Sequence, residues 1–230
     1  MKSQSEGTCG FCKKTFSSAA MSRHLRSCNE RKKVQEREKK AGKIYLLRAQ
    51  AGPFFVYFEV KGSATLKDVD AFLRRLWLEC CGHLSAFTID DVRYEQETDG
   101  VDAMWEDFFG KIKPPRSMNS KVSAVLQPGL KFIHEYDFGS ITQLDMQCIS
   151  ERQGTLKKIK VLARNHPPKY ACISCGKPAK EICVQCQEEG PGFLCEACAK
   201  KHKCGEEMLL PVVNSPRMGV CGYTGEEDPW

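Results

Sequence analysis

Apolar runs with strand-like composition dominate the middle of the chain. Residues 44–49 and 54–60 are rich in β-branched and aromatic side chains and flank the turn Ala51-Gly52-Pro53, so they predict an antiparallel hairpin. Similar runs predict further strands at 84–89, 92–94, 122–126, 131–136, 142–149 and 157–163. The middle of the chain is therefore expected to form a mostly antiparallel sheet.

One amphipathic segment interrupts this series of strands. Between residues 65 and 79, apolar side chains recur at helical spacing, namely Leu66, Val69, Leu73, Leu76 and Trp77. Thr65 and Asp68 have the spacing of a capping box at the start of such a helix. A single helix packed on an antiparallel sheet is an α+β fold, and we expect small zinc-stabilised modules to flank it.

The carboxyl-terminal part has too few large apolar residues to bury a core, and cysteines replace them. Three Cys-x-x-Cys pairs and two further ligands lie close together: Cys172, Cys175, Cys183, Cys186, Cys195, Cys198, His202 and Cys204. Each pair presents two thiolates to one metal from a tight turn, and a structural zinc takes four ligands. Eight ligands therefore predict two closed zinc sites that supply the folding free energy of this module.

Spacing leaves the pairing of these ligands open. In an interleaved arrangement, Cys172, Cys175, Cys195 and Cys198 hold one zinc, and Cys183, Cys186, His202 and Cys204 hold the other. A single residue separates His202 from Cys204, which is a cramped spacing, so Cys221 is an alternative to Cys204 as the last ligand.

The amino terminus contains a second ligand pattern, Cys9, Cys12, His24 and Cys28. The last two ligands are four residues apart and share one face of a helix, for which Ser17 or Ser18 is the expected N-cap. Met21 and Leu25 would supply its small apolar core. With this Cys-Cys-His-Cys finger, the sequence predicts three zinc ions in the whole chain.

Charge is concentrated at the amino terminus. Residues 1–43 contain 12 Lys and Arg against 4 Asp and Glu, whereas residues 44–165 are balanced and residues 166–230 are slightly acidic. This distribution favours contact with a polyanion such as DNA through residues 1–43. The candidate contact residues are Arg23, Arg26, Arg31, Lys32 and Lys33. A solvated helical linker over residues 29–42, ended by Gly42, is the alternative interpretation.

Three resemblances accompany these motifs. The order of the hairpin, "ATLKDVDAFLRRLW", "GHLSAFTI" and "LQPGLKFIHEYDFGS" over residues 43–163 resembles the plasmid pRiA4b ORF-3-like family, some of whose members are described as insertion-element accessory proteins. That resemblance implies an α+β fold without an established activity. The amino-terminal motif resembles Cys-Cys-His-Cys relatives of the ββα finger. The carboxyl-terminal block resembles B-box modules in ligand order, and such modules usually recognise proteins.

Other polar residues of the middle region give weaker indications of a site. Asp137 in Tyr-Asp-Phe-Gly and His83 are the candidates for an enzymatic site, but an Asp-x-Gly segment is more typical of a turn. Cys80 and Cys81 precede Gly82 at the predicted helix end, where the helix dipole opposes a reactive thiolate, so we interpret them as a buried helix terminus. The proposed zinc sets have four protein ligands each, which disfavours a hydrolytic metal.

These observations predict four parts: a finger at 1–28, a basic linker at 29–42, an α+β domain at 43–165 and a two-zinc module with its tail at 166–230. The sequence contains no apolar run long enough to cross a bilayer and begins without a secretory signal pattern. We therefore expect a soluble cytoplasmic protein with reduced cysteines rather than disulfides. Its expected role is binding rather than catalysis. Nucleic acid is the candidate partner of residues 1–43, and a protein is the candidate partner of residues 166–230. The alternative function is a protein–protein interaction scaffold whose zinc ions are purely structural.

Overall fold

The computed structural model of the chain describes residues 5–96 and 115–225, and the chain divides into two compact units. The first unit contains Met1–Phe72 and Leu84–Asn165. The second contains His166–Trp230 and also Leu73–His83, a segment that the sequence pattern had assigned to the middle domain. The finger at residues 1–28 thus shares a unit with the α+β domain.

Within its described residues, the first unit is built around a ten-stranded sheet in the order β2-β1-β10-β4-β3-β9-β8-β5-β6-β7. All neighbouring strands are antiparallel except β6 and β7. This arrangement confirms the mostly antiparallel α+β fold and the predicted hairpin. The strands are β1 (Glu6–Cys9), β2 (Thr15–Ser17), β3 (Gly42–Ala51), β4 (Phe54–Lys61), β5 (Ser85–Ile89), β6 (Val92–Glu95), β7 (Arg116–Ser117), β8 (Lys131–Tyr136), β9 (Thr142–Gly154) and β10 (Lys160–Asn165).

Four α-helices accompany the strands in the described part of the chain before β8: α1 (Ser18–Ser27), α2 (Asn29–Glu36), α3 (Leu66–Leu73) and α4 (Val122–Val125). The capping box of α3 is confirmed, because Asp68 N donates to Thr65 Oγ1 while Thr65 N donates to the Asp68 carboxylate. A π-helical turn, Arg74–Leu78, continues α3, and every residue of the predicted apolar stripe is buried.

Two predictions about these elements were wrong. The strand predicted at residues 122–126 is instead the helix α4, Val122–Val125, because the apolar run there is too short for its periodicity to distinguish a helix from a strand. The basic helix ends at Glu36, and Gly42 begins β3 instead of terminating that helix.

The second unit has a small antiparallel sheet in the order β12-β11-β13, with strands β11 (Glu181–Cys183), β12 (Phe193–Leu194) and β13 (Leu209–Pro211). Its remaining elements are single turns: α5 (Val184–Gln187), α6 (Glu196–Ala199) and a 3-10 turn at Glu206–Met208. Across the described residues of both units, the helices are too short or too polar to cross a membrane.

Candidate metal centres

The amino-terminal finger brings its four predicted ligands together. The ligand atoms of Cys9, Cys12, His24 and Cys28 all lie within 4.8 Å of one another. Cys9 ends β1, and Cys28 caps the carboxyl end of α1. The Nε2 atom of His24 lies 3.2 Å from Cys12 Sγ, and burial, followed by the charge of Lys14, lowers the pKa of this histidine. A neutral imidazole is the form that binds a metal.

Local interactions fix the ligand helix and the turn that precedes it. Ala20 N donates to Ser17 Oγ, which confirms Ser17 as the N-cap of α1. The ring of Phe16 stacks on that of His24, with centroids 4.0 Å apart. Gly10 N donates to Leu162 O in β10, which ties the loop between the two cysteine ligands to the sheet.

The strands of the finger, β1 and β2, form one edge of the ten-stranded sheet. Strand β1 pairs with β10, and a Cβ atom at Gly7 would lie 2.2 Å from Arg164 O, so only glycine permits this approach. Tyr57 Oη donates to Ser18 O at the start of α1. The buried cluster beneath the finger combines residues of the finger and of the sheet: Cys9, Met21, Leu25, Cys28, Leu46, Phe55, Tyr57, Leu162 and Ala163.

The carboxyl-terminal module groups its ligands in the interleaved order. One group contains Cys172, Cys175, Cys195 and Cys198, and the other contains Cys183, Cys186, His202 and Cys204; within each, the ligand atoms lie within 4.8 Å of one another. Cys204 therefore completes the second group, and the alternative ligand Cys221 does not belong to it. The bond from Cys172 N to Lys177 O closes the first cysteine turn, with Gly176 at φ +72°.

Sulfur–sulfur distances within these groups match a tetrahedral metal site. A Zn–S bond of about 2.3 Å places two sulfurs of a tetrahedron about 3.8 Å apart. Cys175 Sγ lies 3.5 Å from Cys195 Sγ and 3.6 Å from Cys198 Sγ, while Cys186 Sγ lies 3.8 Å from Cys204 Sγ. All fourteen cysteines of the chain are free thiols. The donor sets are thus compatible with zinc, and each is complete with four protein ligands.

Electrostatics within the groups favours a divalent cation. A hydrogen bond with the Cys183 thiol, followed by burial and the Cys204 thiol, raises the pKa of Cys186 to about 12. Backbone hydrogen bonding, with the Cys195 amide first, lowers the pKa of Cys172 to about 6. Neighbouring thiols cannot all ionise without a cation, since their negative charges repel. Zinc supplies the positive charge that allows all of them to become thiolates.

The structure adds a fourth group that the sequence patterns did not predict. Cys80, Cys81, His83 and Cys221 place their ligand atoms within 4.8 Å of one another in the second unit. The interpretation of Cys80 and Cys81 as a buried helix end was wrong, because Cys81 is exposed and Cys80 is half-buried. The spacing Cys-Cys-x-His was visible in the sequence, but its fourth ligand is 138 residues further along the chain.

Of the predicted nucleic-acid contacts, Arg31 has a different environment from the others. Its side chain is only 6% exposed, and Nη2 donates to Glu59 Oε1 at 2.7 Å. Glu59 also accepts two hydrogen bonds from Arg152. The prediction for Arg31 is therefore corrected, since its charge is used inside the first unit. The other four residues, Arg23, Arg26, Lys32 and Lys33, are exposed.

The two candidate residues of an enzymatic site, Asp137 and His83, each have another role in the structure. The Asp137 carboxylate accepts hydrogen bonds from Gly139 N and Ser140 N, which is the predicted turn. Asp137 itself has φ +65°, a conformation that aspartate tolerates in turns. His83 belongs to the fourth cysteine group, where Nε2 lies 3.0 Å from Cys81 Sγ.

Comparisons with known proteins find similarity among solved structures alone. No protein-family profile matches it, and no curated protein shows significant similarity to it. Among solved structures, it is similar to a protein of unknown function, MM3350, from Methanosarcina mazei Go1. The identity is 18%, the match covers 54% of this chain and 70% of that chain, and the TM-score is 0.42. The resemblance to the pRiA4b ORF-3-like family thus has no support from a family profile.

Proposed function

We propose that this chain is a non-catalytic zinc protein, an adaptor or regulator that contacts DNA through the exposed cations of α1 and α2. The observation that carries the proposal is the two-sided character of α1. Met21 and Leu25 are buried on the sheet side, whereas Arg23 and Arg26 are exposed. Because the finger is anchored to the sheet, these charges are held on a fixed surface.

The exposed surface suits the phosphate backbone better than base edges. In ββα fingers, the positions corresponding to Ser17, Ala20 and Arg23 face the bases. Here Ser17 caps the helix and Ala20 is half-buried. Lys32 and Lys33 extend the positive surface onto α2, where Lys33 is paired with Glu30. A surface of this kind binds nucleic acid electrostatically and without strong sequence preference.

Reduced zinc-binding cysteines suit a cytoplasmic location, because thiols remain reduced there. A role alongside mobile elements follows from the resemblance of residues 43–163 to the pRiA4b ORF-3-like family and is part of the same proposal. The absence of catalysis is supported by the complete four-ligand sets and by the use of the Asp137 carboxylate in a turn.

The deciding experiment is fluorescence anisotropy of the full zinc-loaded chain with short duplex and single-stranded DNA across a salt series. The variant Arg23→Glu/Arg26→Glu should weaken binding and lower the salt slope by about one unit per lost phosphate contact. The matched control is Lys67→Glu/Lys121→Glu, which reverses two exposed cations elsewhere in the first unit. Equal affinity of the two variants, or no binding by the wild-type chain, would reject the proposal.

Point variants are preferable to removal of the amino-terminal arm. Phe55 and Tyr57 are fully buried and contact the finger cluster, so a chain beginning at Lys43 would expose them. Loss of binding in such a chain would not distinguish a missing contact from a damaged sheet.

A second candidate function, recognition of an acidic protein segment, is favoured by a groove in the carboxyl-terminal module. The groove is shallow, and four of its eight lining residues are lysines, Lys177, Lys180, Lys200 and Lys201; the others are Pro178, Cys195, Glu196 and Ala197. All four lysines are exposed, and Lys200 is paired with Glu196. The variant Lys177→Glu/Lys180→Glu should abolish binding of a glutamate-rich peptide that the Arg23→Glu/Arg26→Glu variant retains. Unchanged peptide binding would reject this candidate.

A further inference from the structure

The cysteines outside the three predicted zinc sets are Cys80, Cys81, Cys148 and Cys221, and three of them converge on His83. Cys80 and Cys81 follow the π-helical turn, and Cys221 lies in the carboxyl-terminal tail. All of these ligands belong to the second unit. The fold, and not a local sequence motif, brings Cys221 to the other three ligands, so the geometry of the four side chains indicates what they can bind.

The distances in this group are those of a metal site. Cys81 Sγ lies 3.7 Å from Cys80 Sγ and 3.8 Å from Cys221 Sγ, close to the tetrahedral sulfur–sulfur separation of about 3.8 Å. His83 Nε2 lies 3.0 Å from Cys81 Sγ and 3.2 Å from Cys221 Sγ. A disulfide would require about 2.05 Å between two sulfurs. The donor set, three sulfurs and one imidazole nitrogen, is also that of the finger.

Hydrogen bonds outside the group hold the Cys80–His83 segment in place. The carboxylate of Glu79 accepts from Gly82 N at 2.6 Å and from Arg74 Nη1 at 2.8 Å. The same arginine donates through Nη2 to His83 O at 2.6 Å. Gly82 has φ +79°, which lets the chain reverse between Cys81 and His83. Such supporting contacts orient ligands and are typical of built metal sites.

Hydrogen bonds also hold the carboxyl-terminal tail around Ser215 and Arg217 in place. Ser215 Oγ donates to Trp77 O at 2.6 Å, and Arg217 N donates to Ser215 Oγ at 2.9 Å. The buried guanidinium of Arg217 donates to Cys80 Sγ at 3.6 Å, which links the tail directly to one of the ligands. Cys221 has φ +50°, a strained conformation for a residue with a Cβ atom, and such strain tends to be retained at functional positions.

We propose that Cys80, Cys81, His83 and Cys221 bind a fourth zinc ion, which fastens the carboxyl-terminal tail to the Leu73–His83 segment. Zinc fits the donor set because thiolates and imidazole are its preferred ligands and because four protein ligands complete a structural site. Two of the ligands, Cys81 and Cys221, are exposed and none is buried, whereas each of the other three groups has at least one buried ligand. The fourth zinc is therefore the most accessible to chelators and thiol reagents. This inference is independent of the proposed DNA contact.

The test is native mass spectrometry of the full chain purified under reducing conditions with zinc. We expect four zinc ions in the wild-type chain and three in Cys221→Ala and in Cys81→Ala. Cys148→Ala is the matched control and should retain four, because Cys148 is buried in β9 outside every ligand group. Three ions in the wild-type chain, or an unchanged count in both ligand variants, would overturn the proposal.

Thiol labelling of the wild-type chain decides the question even where a variant fails to fold. Iodoacetamide labelling followed by peptide mapping should show Cys81 and Cys221 protected in the zinc-loaded chain, although both are exposed. Chelation with EDTA should expose them to labelling before the buried cysteines of the finger. Equal labelling rates with and without zinc, or a disulfide linking Cys81 to Cys221 in the native protein, would contradict a fourth zinc.

Discussion

The finger and the carboxyl-terminal module have the same types of candidate metal ligand, cysteine and histidine, but their buried clusters differ in composition. The finger cluster contains Met21, Leu25, Phe55 and Tyr57, so large apolar side chains surround its cysteines. The buried cluster of the module is smaller, and three of its five residues are cysteines: Cys172, Cys183, Leu194, Cys195 and Ala199. A metal in the finger would thus add to an existing apolar core, whereas in the module the candidate metal ligands themselves are most of the core.

The two regions also differ in how charge is used. Beneath the finger, Arg31 and Arg152 bond to the buried carboxylate of Glu59, and Arg152 reaches Glu38 as well. In the module, the ion pair between Lys200 and Glu196 is exposed and contributes little. The helix α2, which follows the finger, therefore has an attachment to the sheet that does not depend on metal.

Of the predicted effects, zinc removal should give the largest difference in stability between the carboxyl-terminal module and the sheet that carries the finger. Chelation removes on the order of 10 kcal/mol per structural zinc, and the small module has too little apolar burial to replace it. We expect amides of β11 and β12 to lose hydrogen-exchange protection completely, while those of β3, β4 and β9 remain protected. Hydrogen exchange with mass spectrometry, before and after EDTA treatment, measures the module and the sheet to which the finger is attached in one sample.

Protection that is retained in β11 and β12 would show that the module folds without metal. Equal loss of protection in β3 and β4 would show that the sheet depends on zinc as strongly as the module does. Either outcome would remove the distinction drawn from the two buried clusters.

Breaking the buried ion pair should have an intermediate effect that is confined to the first unit. Arg31→Ala leaves Glu59 with Arg152 alone, and we expect a loss of about 3 kcal/mol in the free energy of unfolding. Lys33→Ala is the control, because it removes the neighbouring but exposed pair with Glu30 and should cause no measurable change. Urea denaturation followed by circular dichroism compares the two; indistinguishable midpoints would mean that the buried pair contributes nothing.

The smallest of the predicted effects is the change that acid pH should cause in the stability contributed by Glu59. Burial alone would raise the pKa of Glu59, but hydrogen bonds from Arg152 and Arg31 outweigh it and lower the pKa below the ordinary value of 4.5. A carboxylate with a depressed pKa contributes stability that is present above the unfolded pKa and is lost as the pH falls through the folded pKa. The stability difference between wild type and Glu59→Gln should therefore be constant near neutral pH and shrink below about pH 4.5.

Urea titrations of both proteins at several pH values test this dependence. Comparing the two isolates Glu59, because zinc ligands also take up protons in acid and do so equally in both chains. A difference that stays constant through this range would show that Glu59 does not titrate as a buried ion-paired carboxylate.

Local patterns predicted much of the fold and most of the metal ligands. The hairpin of β3 and β4, the capped helix α3 and twelve metal-capable residues follow rules that act over a few residues, namely alternation, capping and Cys-x-x-Cys spacing. Prediction failed at α4, where a short apolar run did not distinguish a helix from a strand. It also failed where the burial of a residue depended on a strand that is distant in the sequence. Arg31 is the clearest case, since its partner Glu59 is 28 positions away.

The sequence by itself determined which clustered thiols could hold a metal in the three predicted sets, because the candidate ligands of each set lie close together in the chain. Only the tertiary structure decided that β1 joins the sheet beside β10, that the charge of Arg31 is buried, and that Cys221 meets Cys80, Cys81 and His83. The physical reason is the range of the interactions. Turn and helix preferences act between neighbouring residues, whereas strand pairing and long-range ligand convergence depend on how the whole chain packs.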